Sequence, residues 1–193
     1  MIVGMPVPDS QTFARMLDAA QAGDYALASI NITSSNTANA ALAAFAESKS
    51  DGILQISTGG AEFYSGPLKN MGVGAIALAE HIHRIAEQLD VYIAITTDHC
   101  VPAKVETFLG PLITEATRRR AAGLGNLFNG HMFDGSELPM DKNMEISRGL
   151  LAEMAPLGLI LEVEAGVVGG EEDGIDNTGA EHSKLYTTTE DLL

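Results

Sequence analysis

Three observations in the sequence predict an α/β protein with consecutive, parallel strands. Five short apolar, β-branched runs recur along the chain, with segments of helical period between them. They lie roughly 25 to 40 residues apart, which suits right-handed βαβ crossovers. Each run ends on polar residues, at Asn31, Ser57, Asp98-His99, His131 and Glu162/Glu164. Polar chemistry gathered at the carboxyl ends of parallel strands marks the active-site face of such folds. The repeat is architectural, with no close sequence repeat beneath it.

Taken in order, Asp9 to Ala22 reads as a helix that Asp9 or Ser10 can cap. Phe13, Met16, Leu17 and Ala20 form its apolar stripe and Gly23 stops it. The first strand is Tyr25 to Ile32. Thr33-Ser34-Ser35-Asn36 then offers caps for a helix to about Ser48, with Ala40, Ala41, Ala44 and Phe45 inward. The second strand, Gly52 to Ser57, enters Thr58-Gly59-Gly60-Ala61 and a loop through Met71-Gly72, before a long helix from about Gly74 to Leu89. Val91 to Thr96 is the third strand. Pro102 suits the first turn of the next helix, where its missing N–H costs little, and that helix is expected to reach about Ala122. The fourth strand, Asn126 to His131, is the weakest. The helix from Asp141 to about Ala155 offers Met144, Ile146, Leu150, Leu151 and Met154 for burial. Gly158 to Glu164 is the fifth strand, and a glycine-rich acidic loop follows it.

Composition narrows the functional classes. A chain of 193 residues suits one domain with a substantial core. A formal net charge of −15 repels a phosphate backbone, which argues against nucleic acid. A small anionic substrate stays open, because local donors or a bound cation can outweigh that field over a screening length of roughly 8 Å. The apolar runs are too short to cross a bilayer, and Met1 to Pro6 lack the basic cluster and apolar core of a signal peptide. One cysteine, Cys100, rules out an internal disulfide framework, so cytoplasm is the expected compartment.

Several groups could carry chemistry. In Asp98-His99 the carboxylate can serve as general acid or base and the imidazole as a metal ligand. The plainer alternative is a helix cap beside a hydrogen-bonded loop histidine. His131 and Asp134 could form a ligand with its orienting partner, or simply a turn at Asp134-Gly135. Glu162 and Glu164 share one side of their strand, which is costly unless they are paired, cation-bound or on a solvated edge. Ser57-Thr58-Gly59-Gly60 could present hydroxyls and N–H groups to a phosphate, although no lysine follows at P-loop spacing. His81 and His83, at i and i+2 on a helix, do not share a face. Arg118-Arg119-Arg120 reads as a solvated helix end, and Cys100 as a packed thiol rather than a nucleophile.

Together these motifs closely resemble class II, metal-dependent fructose-1,6-bisphosphate aldolases of the longer bacterial and fungal subclass. The resemblance rests on Asn31 with Thr33-Ser34-Ser35, Ser57 to Ala61, Thr97-Asp98-His99-Cys100, His131 to Gly135 and Glu162 to Gly166. Gly169 to Gly174 and Leu185-Tyr186-Thr187 complete it. The match covers essentially the whole chain, in order. It implies a TIM (β/α)8 barrel acting as a homodimer, with Zn²⁺ at its carboxyl face. The implied reaction is reversible cleavage of fructose 1,6-bisphosphate into dihydroxyacetone phosphate and glyceraldehyde 3-phosphate, in glycolysis and gluconeogenesis. Residue by residue, His99 matches the first zinc ligand and Asp98 the proton donor on the C4 hydroxyl side. Asp134 and Glu164 match carboxylates of a second or alternative metal position. Ser57 matches a residue near a substrate phosphate and Asn31 one in the substrate pocket. Glu172, with Glu171 beside it, matches a mobile-loop glutamate that exchanges a proton at carbon.

Family members are considerably longer. Two further zinc-ligating histidines, a glycine-serine phosphate loop, an Asn-x-Asp segment and a late arginine that reaches across the dimer cannot be placed in residues 1–193. The expectation is therefore one incomplete barrel domain over 1–193: about five strands plus the acidic loop, with exposed edges and little aldolase activity alone. A tagatose or sedoheptulose bisphosphate aldolase, and a non-catalytic fragment that associates with other protomers, remain the alternative readings.

Overall fold

A computed structural model describes residues 7–167, 170–172, 175–179, 185 and 189. Helix α1 (Ser10–Gly23) precedes β1 (Ser29–Asn31), α2 (Ser35–Ser48), β2 (Gly52–Ile56), α3 (Thr58–Tyr64) and α4 (Met71–Ala86). Then come β3 (Ile93–Thr97), α5 (Leu109–Ala121), β4 (Gly130–Asp134), α6 (Met140–Met154) and β5 (Ile160–Glu164). Strands β1 to β5 form one sheet in sequence order, each pair parallel. A short antiparallel pair, β6 (Glu171–Glu172) with β7 (Ile175–Asp176), lies in the acidic segment read as loop. No helix among the described residues is long and apolar enough to cross a membrane.

The two faces of the sheet are covered differently. Ile93 and Ile95 point into the main core with Leu54, Ile56 and Phe133, where Leu42, Leu78, Ile82 and Leu112 of the crossover helices meet them. Burying such side chains contributes roughly 1.5–3 kcal/mol each. Ala94, one residue out of phase, faces the other way and packs against Phe13 and Met16 of α1. Asn129 donates to the Pro8 carbonyl at 2.7 Å, and Ser10 donates to that of Gly158. These bonds fix α1 at the amino ends of the strands. The carboxyl ends of the same face are left to polar residues, as in the wall of a (β/α) barrel.

Differences from the expected boundaries have local causes. The helix expected from Pro102 is split into a 3₁₀ turn (Pro102–Lys104) and α5, because Pro111 cannot donate inside a continuous helix but is tolerated in the first turn. Strand β4 begins later than expected. Asn129 spends its side chain on the Ile95 N–H and Pro8, leaving Thr96–Gly130 as the β3–β4 pair in register. The Thr58-Gly59-Gly60-Ala61 segment opens a short helix, α3, because the Ser57 hydroxyl accepts from Gly60 N and caps it. Helix α6 turns Asn143, Ser147, Leu150 and Met154 inward, whereas Leu151 is 46% exposed. The polar i, i+4 pair hid that face from an apolar pattern.

Helices α3 and α4 touch at Gly74, where a Cβ would lie 1.8 Å from the Ala61 carbonyl oxygen. Gly74→Ala should cost at least about 1–3 kcal/mol through this clash. A lower urea midpoint with an unchanged slope would bear this out, and an unchanged midpoint would refute it.

Candidate metal centre

At the carboxyl edge the ladder sets Asp134 of β4 beside Glu164 of β5 as register partners. Like charges so placed repel, and His99, just beyond β3, lies between them. Its Nδ1 is 3.2 Å from Asp134 Oδ2 and 3.1 Å from Glu164 Oε2. One nitrogen and two carboxylate oxygens thus fall within 4.8 Å of one another, all partly buried. That donor set suits a divalent cation. Among the described residues, no second histidine joins the group.

Each side chain is held from behind. Ser136 donates from its backbone N at 3.0 Å and its hydroxyl at 2.6 Å to Asp134 Oδ1, leaving Oδ2 for His99. Asn143 donates to the Glu164 carbonyl at 2.7 Å and accepts from Ser147. Asp98 is anchored by its N–H on the Ile56 carbonyl, and its Oδ2 accepts from Asn31 Nδ2 at 2.7 Å. Ser57 stands at the neighbouring β2 end.

Not every sequence candidate joins this constellation. His131 points to the opposite, helix-covered face, 2% exposed, with Nδ1 3.3 Å from the Thr97 hydroxyl. Burial pushes it down to about 3, so it is a neutral core histidine, and no His131–Asp134 pair forms. The two glutamates of β5 do share a face, but Glu162 is exposed while Glu164 enters the cluster. Cys100 is fully buried and its thiol is raised to about 12 by desolvation, a packed group rather than a nucleophile. The side chains of Glu171 and Glu172, together with Gly169, Asp173 and Gly174, lie outside the described residues, as do Tyr186-Thr187. Sequence reading missed Ser136 and Asn143. Asp-Gly-Ser after a strand is an Asx-turn signal that could have found the first; nothing local marks the second.

Burial works against a charged His99, yet the hydrogen bond to Asp134 and the charges of Glu164, Asp98 and Asp134 raise its pKa overall. Burial likewise opposes ionisation of Asp134, but the Ser136 hydrogen bonds and His99 hold it below the usual carboxylate range.

The family model described as fructose-bisphosphate aldolase class-II matches residues 11–193. A fructose-bisphosphate aldolase of Mycobacterium leprae is 47% identical over 190 residues, which are 98% of this chain and 54% of the relative. One from Campylobacter jejuni is 36% identical over 193 residues, 99% of this chain and 54% of the relative. A crystal structure of the Campylobacter jejuni aldolase superposes with a TM-score of 0.83 at 34% identity, over 99% of this chain and 53% of that one. The chain spans about half the length of the curated relatives it matches.

Two outcomes are expected. The raised His99 pKa contributes stability below its unfolded value of about 6.5, lost as pH rises through the folded value. The lowered Asp134 pKa contributes above about 3.9, lost as pH falls through the folded value. The metal-free pair should therefore stabilise most between about pH 4 and 6.5. Asp134→Asn should flatten that optimum in urea titrations; an unaltered pH profile would contradict the pairing. Cys100 should resist iodoacetamide at about pH 8 in the folded chain and react readily in denaturant. Equal rates in both conditions would contradict its burial.

Proposed function

The chain belongs to the class II fructose-bisphosphate aldolase family, and from that membership we propose that its protein reversibly cleaves fructose 1,6-bisphosphate into dihydroxyacetone phosphate and glyceraldehyde 3-phosphate. The observation that carries this reading is the convergence of His99, Asp134 and Glu164 beside the Asn31–Asp98 pair, at one end of a parallel sheet. His99 with the two carboxylates would hold the cation, which the family resemblance identifies as Zn²⁺. Bound there, it supplies Lewis-acid stabilisation of the negative charge that develops as the sugar divides.

The remaining work falls to side chains of the chain itself. Asp98 accepts the proton of the C4 hydroxyl as the C3–C4 bond breaks, and returns it in the condensation direction. The Asn31 amide orients the Asp98 carboxylate for that transfer. Ser57 and the N–H groups after it take a phosphate, whose charge the chain's net −15 would otherwise repel. Glu172 exchanges the proton at the nucleophilic carbon of the three-carbon product. The protein would act in the cytoplasm as a homodimer.

Joining residues 1–193 to the remaining half of the Mycobacterium leprae relative provides the test. This chimera should cleave fructose 1,6-bisphosphate in a Zn²⁺-dependent manner. Asp98→Asn should lower turnover by about 10²–10⁴-fold with Zn²⁺ uptake retained, whereas His99→Ala should lose Zn²⁺ affinity. Equal loss of Zn²⁺ in both variants would refute the division of roles.

A further inference from the structure

We propose that Asn143 of α6 is a positioning residue for the cation cluster, fixing the β4 and β5 strand ends relative to each other. This rests on the reading of His99, Asp134 and Glu164 as cation ligands. Asn143 is 1% exposed. Its amide Nδ2 donates to the Glu164 main-chain carbonyl at 2.7 Å, where the β4–β5 ladder has run out. Its Oδ1 accepts from Ser147, also buried, at 3.1 Å, which fixes the amide's orientation. The amide also lies flat against Gly135, where an added Cβ would fall 2.4 Å from Asn143 Cγ. Gly135 follows Asp134 and precedes Ser136, whose two bonds hold Asp134 Oδ1.

One buried amide therefore spans both carboxylate-bearing strand ends: by hydrogen bond on the Glu164 side, by van der Waals contact on the Asp134 side. A hydrophobic residue of similar size would fill the volume but leave the Glu164 carbonyl without this donor. Glu164 and the Asp134 turn would then be free to separate, and His99 would lose its fixed place between them. Supports behind metal ligands of this kind typically change affinity by about 10- to 100-fold.

The experiment compares the chimera described under the proposed function with its Asn143→Leu and Leu150→Ala variants. The second variant removes volume from the same helix face, away from the cluster. Imidazole ¹⁵N resonances of His99 are recorded without metal, Zn²⁺ is titrated calorimetrically, and Tm is measured for each protein. Both variants should lower Tm. Asn143→Leu alone should move the His99 resonances toward those of a solvent-exposed histidine and weaken Zn²⁺ binding at least tenfold. Unmoved His99 resonances in Asn143→Leu, or equal movement in Leu150→Ala, would overturn the proposal. If the unsubstituted chimera takes up no Zn²⁺, the cation reading fails, and the metal-free His99 resonances still decide the role of Asn143.

Discussion

The rest of the site depends on the parallel register that makes Asp134 and Glu164 neighbours. Two partly desolvated carboxylates in adjacent strands raise each other's pKa unless something positive lies between them. His99 fills that need because β3 ends two residues before it, and the chain beyond the strand brings Nδ1 within 3.2 Å of both. The arrangement is built from strand order: β4 and β5 contribute their last residues, and β3 the residue two places beyond its end. A fold with one of these strands antiparallel would put that residue at the opposite rim.

Much of this was legible in sequence because period-two burial and strand-end polarity are local signals. Ile93, Ala94 and Ile95 alternate between two cores, as their strand pattern requires. Asn31, Ser57, Asp98 and Glu164 could be assigned to one rim without knowing what they touch. The facing of His131 was not legible. The expected strand ended at His131, whereas β4 runs from Gly130 to Asp134 and so holds His131 inside the ladder, with Asp134 at the end. The cause of the later start is tertiary, the Asn129 side chain bonding Ile95 and Pro8 in place of a ladder.

The covering of the α6 face was hidden for a related reason. Sequence patterns weight apolar residues, and they selected Leu151 over Asn143 for burial. In the fold the stripe runs through Asn143, Ser147, Leu150 and Met154. A buried amide is tolerated there because both of its polar ends are satisfied, by Glu164 and by Ser147. Functional folds depart from binary patterning at such places, where a polar group is needed to hold another in position.

Charge decides how an acidic chain can accept an anionic sugar. Without metal, the two carboxylates outweigh one imidazolium, and the cluster keeps a net negative charge on top of the chain's −15. A phosphorylated ligand approaching the carboxyl rim would meet that field in full. A divalent cation held by the same three side chains requires His99 neutral and cancels both carboxylates, so the cluster as a whole becomes neutral. The change is local, and at physiological salt the distant surface charges are screened within roughly 8 Å. On the proposed reading, cation binding and anion binding would thereby be coupled through electrostatics. In the proposed reaction the Ser57 hydroxyl and the N–H groups that follow it would then meet a phosphate without an opposing charge beside them. On that reading, neutralising the cluster would add to what the local donors of this face do against the chain's acidic field.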